Sequence, residues 1–173
     1  RPARLGSRDR AAVRGTAVRG SFTRNASNRG VQVSFGGLSV RTCVIAMMLA
    51  VRQLVAPAER WRGPLAERVA IVERELERSP LLFAESYPDE GWTFCNTTAL
   101  AALRISDRST GQDHRDLAAR WVRSARTHLI DRDTGMLVSS FGWNGERRDG
   151  PEGSSIYWAA AMLRFVDDDF ARD

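Results

Sequence analysis

The chain has 173 residues, about the length of one ordinary domain. Hydrophobic residues make up 43% and charged residues 27%, which excludes collagen-like and wholly disordered classes. Two cysteines, Cys43 and Cys95, are too few for a disulfide framework and too far apart for a local zinc knuckle.

The formal charge of +5 sits in one segment. Residues 1–36 carry eight Arg against a single acid, Asp9, whereas residues 37–173 carry eighteen Arg against twenty Asp or Glu. Basicity therefore belongs to an N-terminal tail. The body is nearly neutral, and no nucleic-acid partner is expected for it. All 26 basic residues are Arg, a usage more in keeping with a GC-rich genome than with selection for anion contacts. The chain does not begin with Met, and a partial chain is expected. The tail, residues 1–36, is rich in Arg, Ser and Gly and is expected to be disordered, because it cannot bury enough apolar area to offset chain entropy.

The body, residues 37–173, opens with the apolar run Thr42 to Val51. Ten residues are half of what a membrane span needs, so a buried helix is expected, with Met47 and Met48 as packing groups and a membrane-associated interfacial or re-entrant segment as the alternative. Pro64 fits the first turn of a second helix, in which Leu65, Val69, Val72 and Leu76 recur at helical spacing. Ser79-Pro80 ends it. A third helix is expected over about Thr97 to Ser106, and a fourth over about Gln112 to Ile130, with Leu117, Trp121 and Ala125 on one stripe. Met136 to Phe141 is strand-like and Asn144-Gly145 is a turn pair, which predicts a short two-stranded β-hairpin near 136–148. A last helix starts at Ser154 or Ser155 and continues to about Val166.

Two stretches echo each other at an offset of sixty residues. Ala101-Ala-Leu-Arg-Ile-Ser-Asp107 aligns with Ala161-Met-Leu-Arg-Phe-Val-Asp167, and each follows a Pro-containing acidic turn, Pro88-Asp-Glu-Gly91 or Pro151-Glu-Gly153. Such a period holds one pair of helices. The expected fold class is all-α, an αα-hairpin array, with both acidic turns at one end of the stack, where a pocket belongs.

The densest chemistry lies in Tyr87-Pro-Asp-Glu-Gly-Trp-Thr-Phe-Cys-Asn96. Cys95 precedes the third predicted helix, whose positive end favours a thiolate; the competing reading is a buried structural Cys with Asn96 as N-cap. Asp89 and Glu152 are candidate proton donors, with Glu90 and Asp149 beside them as further carboxylates. Tyr87, Trp92, Asn96, Tyr157 and Trp158 are candidate substrate-binding groups. His114 reads as exposed and His128 as a helix-face residue, without metal spacing. No phosphate loop, dinucleotide glycine signature, HExxH or CxxC is present in the sequence.

The strings YPDEGWTFCNTTALAALRISD and LVSSFGWNGERRDGPEGSSIYWAA resemble segments of the linalool dehydratase/isomerase-like family. The resemblance covers residues 37–173. It implies part of an (α/α)6 toroid with a central apolar cavity, and cofactor-free acid/base chemistry on a small isoprenoid-type alcohol, by dehydration or allylic isomerisation. It places the Cys-Asn pair at Cys95-Asn96, with Tyr87 and Asp89 nearby. The family pairs its cysteine with a second one close by. Cys43 stands fifty-two residues upstream and is expected to lie too far away to supply it. Six helix pairs would need about six repeats of sixty residues, so the barrel is expected to be incomplete, to be finished by further chain or by a homo-oligomer.

The residues also admit a carbohydrate-active (α/α) enzyme, with Trp92, Trp143 and Trp158 as stacking faces and Glu90 with Glu152 or Asp149 as the carboxylate pair. They equally admit a non-catalytic helical-repeat binding domain, whose acidic turns only cap helices. The first expectation remains a lyase or isomerase, with Cys95 as base or second acid.

Overall fold

A computed structural model describes residues 40–173; the disorder expected for residues 1–36 lies outside the described residues. The described part is mostly helical, with one small three-stranded antiparallel sheet. Helix α1 spans Val40–Val55. Its buried face carries Cys43, Ala46, Ala50 and Gln53, at spacings of three, four and three. These are mostly small side chains, and they let a neighbouring helix approach closely.

Helix α2, Glu59–Glu77, buries Leu65, Val69, Val72 and Leu76, the stripe read from the sequence. It begins one turn earlier than expected, so Pro64 lies inside the helix. Proline removes the N–H that would bond the Arg60 carbonyl. Arg60, Gly63 and Pro64 are all exposed, so water can satisfy that carbonyl and the interruption is tolerated.

Helix α3, Thr93–Thr110, starts four residues before the expected position and is buried on nearly every side from Cys95 to Leu103. A helix buried on nearly every side belongs in the middle of a fold. Accordingly α3 packs along α1 and also contacts α2. It ends at Gly111, whose left-handed φ of 76° turns its N–H back to the Asp107 carbonyl at 3.1 Å. Helix α4, Arg115–His128, buries Leu117, Trp121 and Ala125 as expected, and its Arg120 reaches Glu77 of α2 at 3.2 Å.

His114, at the cap of α4, is a correction: its side chain is 5% exposed, not solvated. Local polarity in Gln-Asp-His-Arg-Asp misleads, because the partner lies seven residues back. The Asp107 carboxylate accepts the His114 backbone N–H at 3.0 Å, bonds its ring Nδ1, and pairs with Arg104. A buried imidazole satisfied in this way costs little.

The hairpin is a second correction. Strand β1 (Gly91–Trp92) pairs with β2 (Ser140–Phe141), which pairs with β3 (Arg147–Asp149), giving three strands in the order β1-β2-β3. The Asn144-Gly145 turn joins β2 to β3 as expected, with Gly145 at φ 80°. A two-residue strand carries no alternation, so β1 left no periodic signal. Its glycine is nevertheless required. A Cβ on Gly91 would lie 2.3 Å from Phe141 Cε2 of the opposing strand.

Helix α5, Gly153–Leu163, also packs on α3. Residues 138–139 fasten the starts of both helices. Thr93 donates its N–H to Ser139 O at 3.0 Å and its hydroxyl to Val138 O at 2.5 Å, while Glu152 N–H donates to Ser139 Oγ at 2.9 Å. Among the described residues no helix is long and apolar enough to cross a membrane.

Candidate functional site

The site grows from the turn Tyr87-Pro-Asp-Glu90, closed by hydrogen bonds of 3.0 Å in each direction between Tyr87 and Glu90. Pro88 presets the first corner, and Asp89 takes the second at φ 61°, a left-handed conformation that Asp tolerates. The turn leads into β1, and β1 runs directly into α3, so Trp92 becomes the cap of that helix. Cys95 is therefore its third residue, within the first turn rather than before it.

Helix α1 lies alongside and brings Cys43 into hydrogen-bond contact with Cys95. This overturns the expectation that fifty-two residues of chain keep the two sulfurs apart. Small side chains on the facing helices, Cys43, Ala46 and Ala50 with Cys95, Ala99 and Ala102, accompany this approach. Both cysteines are buried, at 0% and 1% exposure.

The pair is electrostatically unequal. The Cys43 thiol donates to the Cys95 sulfur, and this bond, reinforced by burial, holds Cys43 well above the ordinary thiol range. The same bond is the main reason Cys95 is lowered. Burial opposes that effect, and a hydrogen bond from Ser86 adds to it. Ser86 Oγ accepts the Trp92 N–H at 3.0 Å, which leaves its own proton available for the sulfur. The N-terminal end of α3 favours a thiolate at Cys95 as well.

A cavity of about 160 Å³ is lined by Tyr87, Trp92, Phe94, Cys95 and Ser155. Tyr87, half exposed at 51%, forms its rim. Ser155 stands sixty residues after Cys95, the offset of the sequence echo. The next helical turn repeats the relation: Trp158 Nε1–H donates to Thr98 Oγ1 at 2.7 Å, also across sixty residues. Equivalent positions of α3 and α5 thus meet, and the beginnings of both helices share one cavity.

Of the residues singled out in the sequence, Cys95, Tyr87 and Trp92 line this cavity. Asn96 does not. Its amide accepts the Ala84 N–H at 3.0 Å and donates to Ala84 O at 2.9 Å and Trp92 O at 3.0 Å, stitching the preceding segment to α3. Asp89 and Glu152 are exposed and outside the lining; each shows a backbone N–H bond, to Glu85 Oε1 at 3.1 Å and to Ser139 Oγ respectively. Tyr157 is 83% exposed. Trp158 stacks on the lining residue Phe94 at 4.8 Å and so backs the wall without forming it. Trp143 lies beneath the Arg78 guanidinium and is not among the residues lining this cavity.

Cys43, Ser86, Phe94 and Ser155 were missed as site residues. For Cys43 a signal was present, since it begins the small-residue stripe of α1 that marks a close helix contact. Among the described residues no group of three His, Cys, Asp or Glu is placed to hold a metal ion. Comparisons with protein-family models and with curated proteins return no match for this chain.

Proposed function

We propose that this chain carries a cofactor-independent lyase/isomerase site for a small apolar alcohol, built on the Cys43–Cys95 pair. The observation that supports it is the placement of a lowered thiol, held by two donors, against an aromatic cavity of about 160 Å³. A cavity of about 150 Å³ takes a benzene molecule. The space beside Cys95 therefore suits about six heavy atoms, one isoprenoid unit bearing a hydroxyl.

Cys95, as thiolate, is the base that removes a proton from the carbon next to the carbinol carbon. The C–O bond breaks, and the leaving hydroxyl takes a proton from Tyr87 and departs as water. Tyr87 is assigned this role because it is the other titratable acid lining the cavity, whereas Asp89 and Glu152 lie outside it. Deprotonation and protonation balance, and an alkene remains; proton return from Cys95 to Tyr87 through solvent resets the site. Adding water at the other end of an allylic system gives isomerisation. Aromatic walls of Trp92 and Phe94 favour the positive charge that develops as the C–O bond breaks.

The same reading treats α1, α3 and α5 as one layer of an αα-hairpin array, with α2 packed against α1 and α3, an arc of an (α/α)6 toroid similar to the linalool dehydratase/isomerase-like family. The sixty-residue correspondence between α3 and α5 supports that arc.

The test is the pH dependence of Cys95 alkylation by iodoacetamide, followed by mass spectrometry, in the wild type and in Cys43→Ala. The expected midpoint lies below that of an ordinary thiol and rises in Cys43→Ala. Headspace analysis of an alkene from a five-carbon tertiary allylic alcohol, lost in Cys95→Ser, completes it. A wild-type midpoint at the ordinary thiol value would make Cys95 a buried structural cysteine and return the chain to a helical binding domain.

A further inference from the structure

A second cleft, of about 310 Å³, shares no lining residue with the cavity at Cys95. It opens between the end of α4, the loop at 135–137, α5 and the turn at 170–173. Its walls are Ile130, Leu137, Leu163 and Phe170, and its floor is Ala159 and Ala160 of α5, whose methyl groups leave the space unfilled.

Polarity is confined to one edge. There the Arg126 guanidinium sits over the Phe170 ring at 4.4 Å and holds the Asp173 carboxylate at 2.8 Å. Both partners are about half exposed, so this ion pair contributes little and exchanges readily. An apolar slot with a single guanidinium, already carrying a carboxylate, is complementary to an amphiphile with an anionic head.

We infer that this cleft binds a medium-chain carboxylate, its tail along Ala159 and Ala160 and its head displacing Asp173 from Arg126. A cleft twice the size of one that takes benzene accommodates roughly twelve heavy atoms, the size of decanoate. The inference is independent of any chemistry at Cys95.

The test is isothermal titration calorimetry of the full chain with decanoate below its micelle concentration, and with decanol as the uncharged control. One saturable site is expected, tighter for decanoate than for decanol. Arg126→Gln should weaken decanoate binding by about two- to fivefold, the range of a half-exposed ion pair, and leave decanol unchanged. Asp173→Asn, which frees the guanidinium, should tighten decanoate by a similar factor. Ala160→Leu fills the floor and should abolish binding at an unchanged unfolding temperature; Ala171→Leu serves the same purpose should the first variant not fold. Equal binding of decanoate and decanol, or an Arg126→Gln variant that binds decanoate normally, overturns the head-group assignment. Absence of saturable binding overturns the site.

Discussion

Replacing Asn96 by alanine removes an amide that makes three hydrogen bonds with backbone groups, two of them to Ala84. Ala84 and Asn96 are 1% and 0% exposed, so water has no ready access to the groups left behind. Each buried polar atom without a partner costs about 1–3 kcal/mol. Counting only the Ala84 N–H and C=O, the variant should lose about 2–6 kcal/mol, a large part of the stability of an ordinary domain. Urea unfolding followed by far-UV circular dichroism measures this directly. Asn96→Asp sharpens the argument, since a carboxylate can accept the Ala84 N–H but cannot donate to the two carbonyls. Facing carbonyl oxygens in a buried site, that carboxyl is held above its ordinary pKa, so its folded form prefers the proton. Stability of Asn96→Asp should therefore be higher near pH 4 and fall as pH rises towards 7. A loss below about 1 kcal/mol in Asn96→Ala, together with altered substrate binding, would refute the bond network and return Asn96 to the cavity.

Gly91→Ala places a methyl group 2.3 Å from the Phe141 ring and should destabilise by about 1–3 kcal/mol, read by thermal unfolding; an unchanged midpoint would mean that β1 and β2 separate easily. Asp89→Gly relieves the left-handed conformation at φ 61° and should stabilise by a few tenths of a kcal/mol to about 1 kcal/mol, with alkene formation intact; loss of product at unchanged stability would make Asp89 the proton donor. Ser86→Ala removes one donor from the Cys95 sulfur, so the alkylation midpoint should move upward. In the wild type, product formation should be present above the lowered pKa of Cys95 and disappear as pH falls through it, because the base is then protonated. In Ser86→Ala that loss should set in at higher pH. A profile identical to wild type would show that Ser86 does not bond the sulfur.

What the sequence revealed was governed by periodicity. Leu65, Val69, Val72 and Leu76 announced the buried stripe of α2, and Leu117, Trp121 and Ala125 that of α4, because a half-buried helix writes its geometry as a repeat. The helix α3 starts four residues before the position its sequence pattern predicts. Thr93 and Phe94 look strand-like beside Gly91-Trp92, and the bonds that hold Thr93 come from residues 138–139, which local reading cannot weigh. His114 illustrates the same limit, since its carboxylate partner belongs to the preceding helix. At the site, Cys95, Tyr87 and Trp92 stood out as reactive types clustered in one loop. Cys43 did not; the small-residue stripe it begins marks a close helix contact, but which helix lies opposite, and hence that the two sulfurs meet across fifty-two residues, depends on how the helices pack. Asn96 was visible as a polar residue beside the cysteine, yet its task is to satisfy backbone, a task that composition does not distinguish from binding.

Residues 138–139, which fasten the starts of α3 and α5, also set the order in which the molecule can mature. Cys43 leaves the ribosome first, Cys95 follows, and Ser155 comes last. At about 5–20 residues per second, the interval from the first of these to the last is on the order of 6–20 s. Until residues 138–139 have emerged Thr93 lacks its two partners, and until Gly153–Leu163 has followed the α5 side of α3 is bare. A nascent chain therefore carries both thiols, still without their native walls, for several seconds. Synthesis in a cell should on this account expose both thiols to thiol-reactive compounds before the protein is finished, and leave Cys95 alone to react afterwards, since Cys43 is then buried and held protonated.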